Sequence, residues 1–410
     1  MALEQSSNQD GKSILDQIID NNQTEQVARL DAVEITEALF AYLNEREQDV
    51  LRRRFGLQGT EKETLENIGS AHKLTRERIR QIETTGVKKL RQLQDIETHI
   101  SRLRRVINQL MEEHGGIMEK QYLLDNLVNF SAGGFSAKNE EILKHKNHLE
   151  FLISRLLHDH FEEVNNSKHF REAFKLKFQI LDHLEELATE LVAKIKEAKQ
   201  LFKTEEIIEE IKQLASYKAN QSKFDLHYNL DISNILKSDH FLEKSDLVNQ
   251  NKAIYAVLRA SKHVQQNKFG NWGLADWREV KPKTINDKIY LILKNEGKPL
   301  HFVDIADQIN KISFDGKPAN AATVHNELIL DDKYVLVGRG LYSLKEWGYK
   351  RGTVADVIKE ILSQSGQGLT RDQIIDRVLA QRVVKKATII LALMDKNIFR
   401  REGEKYFVNS

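Results

Sequence analysis

The chain has no cysteine, three prolines and a formal net charge of only +1 over 410 residues. Without cysteine there is no disulfide framework, no thiolate nucleophile and no cysteine-based zinc or iron–sulfur site. A reducing, cytoplasmic setting fits best. Pro282, Pro299 and Pro318 fall within one short window, so helix breakers are scarce and a mainly α fold is expected. No stretch approaches the roughly 20 apolar residues that a membrane-spanning helix needs, and the N-terminus lacks a basic segment followed by an apolar run. Neither a membrane partner nor export is expected. Lys plus Arg number 62 against 61 Asp plus Glu, so any nucleic-acid surface must be local. What remains is 40% hydrophobic and 30% charged, enough for real cores inside well-solvated helices. The length exceeds what one core usually spans and predicts several small domains.

Catalytic signatures are also missing. His145, His148, His158 and His160 cluster in sequence, but no H-E-x-x-H pattern accompanies them. No G-x-x-x-x-G-K-[ST] phosphate loop occurs, and no carboxylate pair sits in an apolar stretch that would raise a pKa for acid–base work. The sequence therefore predicts no enzyme, no metal or other cofactor and no small-molecule substrate.

Residues 1–34 carry seven acidic groups against Lys12 and Arg29, which reads as an acidic, flexible leader or as a competitor of DNA for the basic helix that follows. Residues 35–95 read as short helices: Ile35 to Leu43, Glu45 to Phe55, Thr64 to His72 and Thr75 to about Leu93. Two short helices joined by a tight turn make a helix-turn-helix pattern, with Thr64 and Thr75 placed as N-caps. At about 100° per residue, Ile79, Ile82, Gly86, Leu90 and Leu93 share the sector that must face a core, and Val87 falls off that stripe. Arg76, Glu77, Arg80, Gln81, Thr84 and Lys88 occupy the other side. From His72 to Arg91 there are seven Lys/Arg against Glu77 and Glu83. Arg offers a fork for guanine, Gln can pair with adenine and Glu can accept from cytosine, while Lys88, Lys89 and Arg91 suit phosphates.

These residues resemble region 4 of the bacterial primary sigma factors of the sigma-70 family, the domain that reads the promoter −35 element. Leu43-Asn44-Glu45-Arg46-Glu47 with Val50-Leu51-Arg52-Arg53-Arg54-Phe55-Gly56-Leu57 is similar to the family's opening helix pair. Thr64-Leu65-Glu66-Asn67-Ile68-Gly69 is similar to its first helix-turn-helix helix, and Leu74 to Glu83 with Lys88-Lys89-Leu90-Arg91 to its recognition helix. Thr85 and Gly86 depart from the family's Lys/Arg-Ala pair, and a glycine there weakens the helix by roughly 0.5–1 kcal/mol. The resemblance implies that Arg76, Glu77 and Gln81 contact bases and that neighbouring basic residues contact the backbone. The candidate DNA-binding residues are thus Thr75, Arg76, Glu77, Arg78, Arg80, Gln81 and Lys88. It also implies two partners, double-stranded promoter DNA and the bacterial RNA polymerase core, the latter through its flap. A complete sigma factor carries aromatic and basic promoter-melting helices upstream of region 4, where this sequence has acidic and polar residues. It is not expected to be one.

The remaining residues repeat an order of helix, small-residue turn, second helix, third helix and aromatic strand pair, which describes a winged helix. The clearest unit spans 285–347. Ile289, Leu291, Ile292 and Leu293 lie on its first helix, Gly297 to Phe302 at the turn and first strand, Ile305 and Ile309 on its second helix and Thr323 to Leu330 on its third. Tyr334 to Val337 and Leu341 to Leu344 form a wing around Gly338-Arg339-Gly340. This unit resembles the HARE-type helix-turn-helix domain of the RNA polymerase delta subunit and of some chromatin proteins. Trp272 to Trp277 echoes Leu344 to Trp347 and points to duplication. Further winged helices are expected at 98–178 (Leu149 to Leu157 as third helix, Phe161 to Val164 and Phe170 to Phe178 as wing), at 180–280 (Ile254 to Val264 as third helix) and at 352–410. Trp272, Trp277, Tyr342 and Trp347 are expected to pack the wings onto the first helices. The sequence thus predicts either a nucleoid-associated promoter reader or a delta-like polymerase accessory working mainly through protein contacts.

Overall fold

The computed structural model describes residues 31–131, 139–226, 229–237, 240–349 and 352–409. Residues 1–30 of the acidic leader lie outside them. Within the described part Asp31 caps the first helix, its side chain accepting from the amides of Val33 and Glu34 at 2.8 and 3.1 Å. That cap starts α1 (Ala32–Phe40) three residues earlier than the sequence pattern suggests. Helices α2 (Glu45–Phe55), α3 (Leu65–His72) and α4 (Arg76–Arg91) follow as expected.

Beyond them a similar order of helices and antiparallel strands recurs four times, three times with a three-stranded sheet and once with a two-stranded one. The first repeat has α5 (Ile96–Glu113), β1 (Ile117–Glu119), α6 (Lys120–Ser131), α7 (Asn139–Phe151) running into a π turn (Leu152–Leu156), then β2 (Phe161–Val164) and β3 (Ala173–Leu176). Its sheet order is β1-β3-β2, antiparallel throughout. The third helix therefore begins ten residues before the predicted Leu149, and the wing strand is shorter than Phe170 to Phe178. The second repeat has α8 (Asp182–Ala198), α9 (Thr204–Gln213), a short α10 (Ala215–Ala219), α11 (Ser245–Gln250), α12 (Lys252–Ala260), β4 (Val264–Gln266) and β5 (Trp272–Leu274). Its first strand is reduced to Phe202, which bridges Trp272 of β5. The predicted helix to Val264 stops at Ala260, because Ser261 turns extended and its hydroxyl accepts from the amides of His263 and Val264.

The third repeat runs α13 (Ile285–Glu296), β6 (Leu300–His301), α14 (Phe302–Ile312), α15 (Ala321–Leu330), β7 (Tyr334–Gly338) and β8 (Leu341–Leu344). The fourth runs α16 (Val354–Ser365), β9 (Leu369–Thr370), α17 (Arg371–Leu379), α18 (Lys386–Leu393), β10 (Phe399–Glu402) and β11 (Lys405–Val408). In both, the last strand lies between the other two. Thr284, Thr353 and Thr370 open helices with reciprocal capping boxes, which is why these starts are readable in the sequence. The third and fourth repeats each enclose a core of their own, around Ile292, Ile305 and Val324 in the third and Ile358, Ile374 and Ile389 in the fourth.

The chain divides into two compact units, one reaching Gln266 with Gly270–Ala275, the other Asn267–Phe269 with Asp276 onward. The first holds α1 to α4 and the first two repeats; the boundary falls inside the predicted 180–280 segment. Trp272 is buried, its indole N–H donating to Thr204 at 2.9 Å and its ring edge-on to Tyr255, so its partners lie on α9 and α12. Tyr342 meets His325 of α15 edge-on, and Trp347 is half-buried against the third core. Arg339 is exposed at the β7–β8 turn. No helix among the described residues is long and apolar enough to cross a membrane.

Candidate nucleic-acid interface

Helices α2, α3 and α4 pack around Val50, Ile68, Ile79 and Ile82, all buried. The turn between α3 and α4 closes because Lys73 adopts a left-handed conformation (φ 55°) and the Leu74 amide donates to the Gly69 carbonyl at 2.8 Å. A Cβ on Gly69 would stand 2.8 Å from the Leu74 oxygen, so this glycine sets the tightness of the turn. Gly69→Ala is expected to destabilise the first unit by about 1–3 kcal/mol, read as a lower urea midpoint. Thr64 and Thr75 cap as predicted, accepting from Asn67 and Arg78 amides at 3.2 Å each.

Helix α4 buries Ile79, Ile82, Gly86 and Leu90, the predicted stripe, and leaves Leu93 just beyond it half-buried. Gly86 is a contact point: a Cβ there would lie 3.3 Å from Leu51, so the glycine lets α2 and α4 approach closely. Val87 is buried too, contrary to its place off the stripe; the π turn lies beside α4 and gives the helix a second covered face.

Thr75, Arg76, Glu77, Arg78, Arg80, Gln81 and Lys88 are all exposed. Arg80 grips Glu77 with two hydrogen bonds of 2.9 and 2.6 Å, which hold the Glu77 carboxyl below its usual pKa. Arg78 donates to Gln81 at 3.1 Å. In the free protein the acceptor of Glu77 and that of Gln81 are thus pre-engaged by neighbours on the same helix, and Arg76 stands beside them. A cleft of about 220 Å³, lined by Asn44, Arg46, Glu47, Arg78, Gln81, Ile82 and Thr85, flanks this face.

Some features escape sequence reasoning. Lys89, grouped there with the phosphate-contacting residues, donates at 2.6 Å to buried Glu47, 42 residues away, which also caps α2 with Asn44. The Asn44/Glu47 spacing signals the cap but not the lysine. Of the clustered histidines, His148 binds the Leu57 carbonyl at 2.8 Å while Asn147 beside it donates to the Gly56 carbonyl at 2.8 Å, so both brace α2 against the first repeat. Among the described residues no group of three or more His, Asp or Glu is placed to hold a metal ion.

Residues 39–92 match the family model for sigma-70, region 4. The match covers the capped helix pair and the exposed face just described. Over 89 residues the chain is 37% identical to RNA polymerase sigma factor RpoS of Coxiella burnetii, 21% of this chain and 25% of that one. Over 49 residues it is 57% identical to RNA polymerase sigma factor SigA of Lactococcus lactis subsp. cremoris, 12% and 14% respectively. With RNA polymerase sigma factor RpoD of Helicobacter pylori it shares 47% identity over 68 residues, 16% of this chain and 10% of that one. The chain thus spans a quarter or less of the length of these curated relatives. No solved structure matches it.

Proposed function

We propose that this chain is a DNA-binding transcription factor of bacterial transcription initiation that reads a −35-like promoter element through α4. One observation carries the reading: within the region 4 stretch, every candidate base- or phosphate-contacting side chain is exposed, while Ile79, Ile82, Gly86 and Leu90 of the same helix are core. Arg76, Glu77 and Gln81 read base edges, Thr75 fixes the helix start, and Arg78, Arg80 and Lys88 support through phosphates. Arg76→Ala is expected to cost about 1–3 kcal/mol on a −35 duplex and to relax base preference. Lys88→Ala weakens all sequences alike and lowers the salt dependence. Fluorescence anisotropy against −35 and scrambled duplexes across a salt series tests this; identical behaviour of the two variants would refute the assigned roles.

In this reading the four repeats are winged helices, the third of HARE type, and the chain is cytoplasmic and nucleoid-associated. A second reading, a polymerase-bound accessory subunit working mainly by protein contacts, is favoured by a separate observation. Where α4 exposes Arg, Glu and Gln, the third helices of the last two repeats end on exposed apolar residues, Ile329 and Leu330 in α15, and Leu391 with Met394 just after α18. Repeating the titration with core RNA polymerase separates the readings. Preference for the −35 duplex without polymerase supports the first, and DNA binding only in its presence supports the second.

A further inference from the structure

Arg91, the last residue of α4, donates its Nε–H to the backbone oxygen of Arg155 at 2.6 Å. Arg155 belongs to the π turn of the first repeat, and its guanidinium lies 5.3 Å over the Phe55 ring. Lys177, just past β3, donates to the His158 carbonyl at 3.2 Å and stands 3.4 Å from the Asp159 carboxylate. Asp159 is also 3.4 Å from His158, whose partial burial and the nearby Arg91 favour the neutral ring. Arg91 and Lys177 therefore share the field of one exposed carboxylate, and Arg155 stands beside Arg91 as a third cation. Burial and the neighbouring Arg155 both push the Arg91 pKa down, against the pull of Asp159. Such a gathering is costly in the free protein and is relieved when a polyanion arrives.

Its position matters as much as its charge. Arg80 and Arg91 are eleven residues apart, about three helical turns, so they lie on the same side of α4 at a separation of roughly 16 Å, with the π turn packed against that side from Val87 to Arg91. The major groove is about 12 Å wide. With the N-terminal end of α4 at base edges, Arg91 lies past the groove, where flanking phosphates run. We propose that Arg91, Arg155 and Lys177 form a second phosphate-contact surface that carries the duplex beyond the reading helix onto the first repeat. This rests on reading α4 as the DNA-reading helix.

The test uses the full chain with Arg91→Gln, Arg155→Gln and Lys177→Gln, singly and together. Each is titrated against a duplex holding the −35 element alone and one extended by a turn and a half on each side. On the long duplex the slope of log Kd against log salt is expected to fall by about 0.9 per lost contact, with the preference over a scrambled sequence retained. On the short duplex, wild type and variants bind alike. An unchanged slope on the long duplex, equal losses on both lengths, or loss of sequence preference would overturn the proposal. Arg155 packs on Phe55, so thermal denaturation accompanies each variant, and Lys177→Gln, at a half-buried position outside the core, carries the test alone if Arg155→Gln unfolds. A wild-type chain without preference for the −35 duplex refutes the reading of α4 itself; if the slopes still fall, the surface stands as a sequence-independent one, and if no duplex binds, both fall.

Discussion

Between pH 6.5 and about 4 the first compact unit is expected to lose stability in step with two buried histidines. His114 is enclosed, with Nδ1 2.6 Å from the Leu110 carbonyl and Nε2 3.3 Å from the Tyr122 hydroxyl. Burial lowers its pKa to about 3, and nearby Lys252 adds to the effect. His148 lies between α7 and the Gly56-Leu57 turn; burial lowers its pKa to about 4, helped by Lys144 and His145 and opposed by the Leu57 hydrogen bond and Glu37. Both folded-state values lie below the unfolded value of 6.5, so below pH 6.5 the unfolded chain binds more protons than the native one. The stabilisation is complete above that pH and drains by about 1.4 kcal/mol per pH unit for each ring as acid is added. By pH 4 the two together account for a loss on the order of 6 kcal/mol, comparable to the whole stability of a typical domain. Carboxylates held low by partners, such as Glu37 under its hydrogen bond from Arg52, give up their contribution mainly below about 4.5, so the range from pH 6.5 to 5 reports chiefly on the histidines. Urea midpoints from pH 7 to 4 measure the effect. His114→Gln and His148→Gln should each remove one proton from the slope, and a flat profile between pH 6.5 and 5 would contradict the assignment.

Much of the exposed face of α4 was legible because it depends on local rules. Thr64 and Thr75 cap by their own hydroxyls, and Ile79, Ile82 and Leu90 recur with the helical period. The third and fourth repeats were legible for the same reason, since their capping boxes and short turns leave little room for another arrangement. The second repeat was harder: its first strand is a single bridged residue, Phe202, and residues 214–251, carrying α10 and α11, separate its second helix from its third. The surroundings of Val87 and Lys89 were not legible, for a different reason. Their environments come from a π turn more than sixty residues downstream and from Glu47 far upstream, and no periodicity within α4 carries that information. The same holds for His148, whose carbonyl partner is 91 residues away.

Phe151 makes long-range contacts of the same kind, and its truncation is the largest single-site effect expected. The ring is fully buried, edge-on to Phe40 of α1 at 5.8 Å and tilted against Phe55 of α2 at 4.9 Å. Phe151→Ala removes both aromatic pairs and leaves a cavity among α1, α2 and α7, while Asn147 and His148 keep α7 tied to the Gly56-Leu57 turn after α2. The expected cost is about 3–5 kcal/mol, against less than about 0.5 kcal/mol for Phe178→Ala, whose ring is 90% exposed. Because Phe151 belongs to the first repeat and its partners to the helix-turn-helix bundle, the loss should appear as one cooperative shift seen equally by probes in both. Separate transitions in wild type would mean that the bundle does not depend on the repeat for its stability. A single transition that Phe151→Ala splits in two would mean that this ring joins them, and α4 would then owe its fixed framework to a segment outside the region 4 stretch.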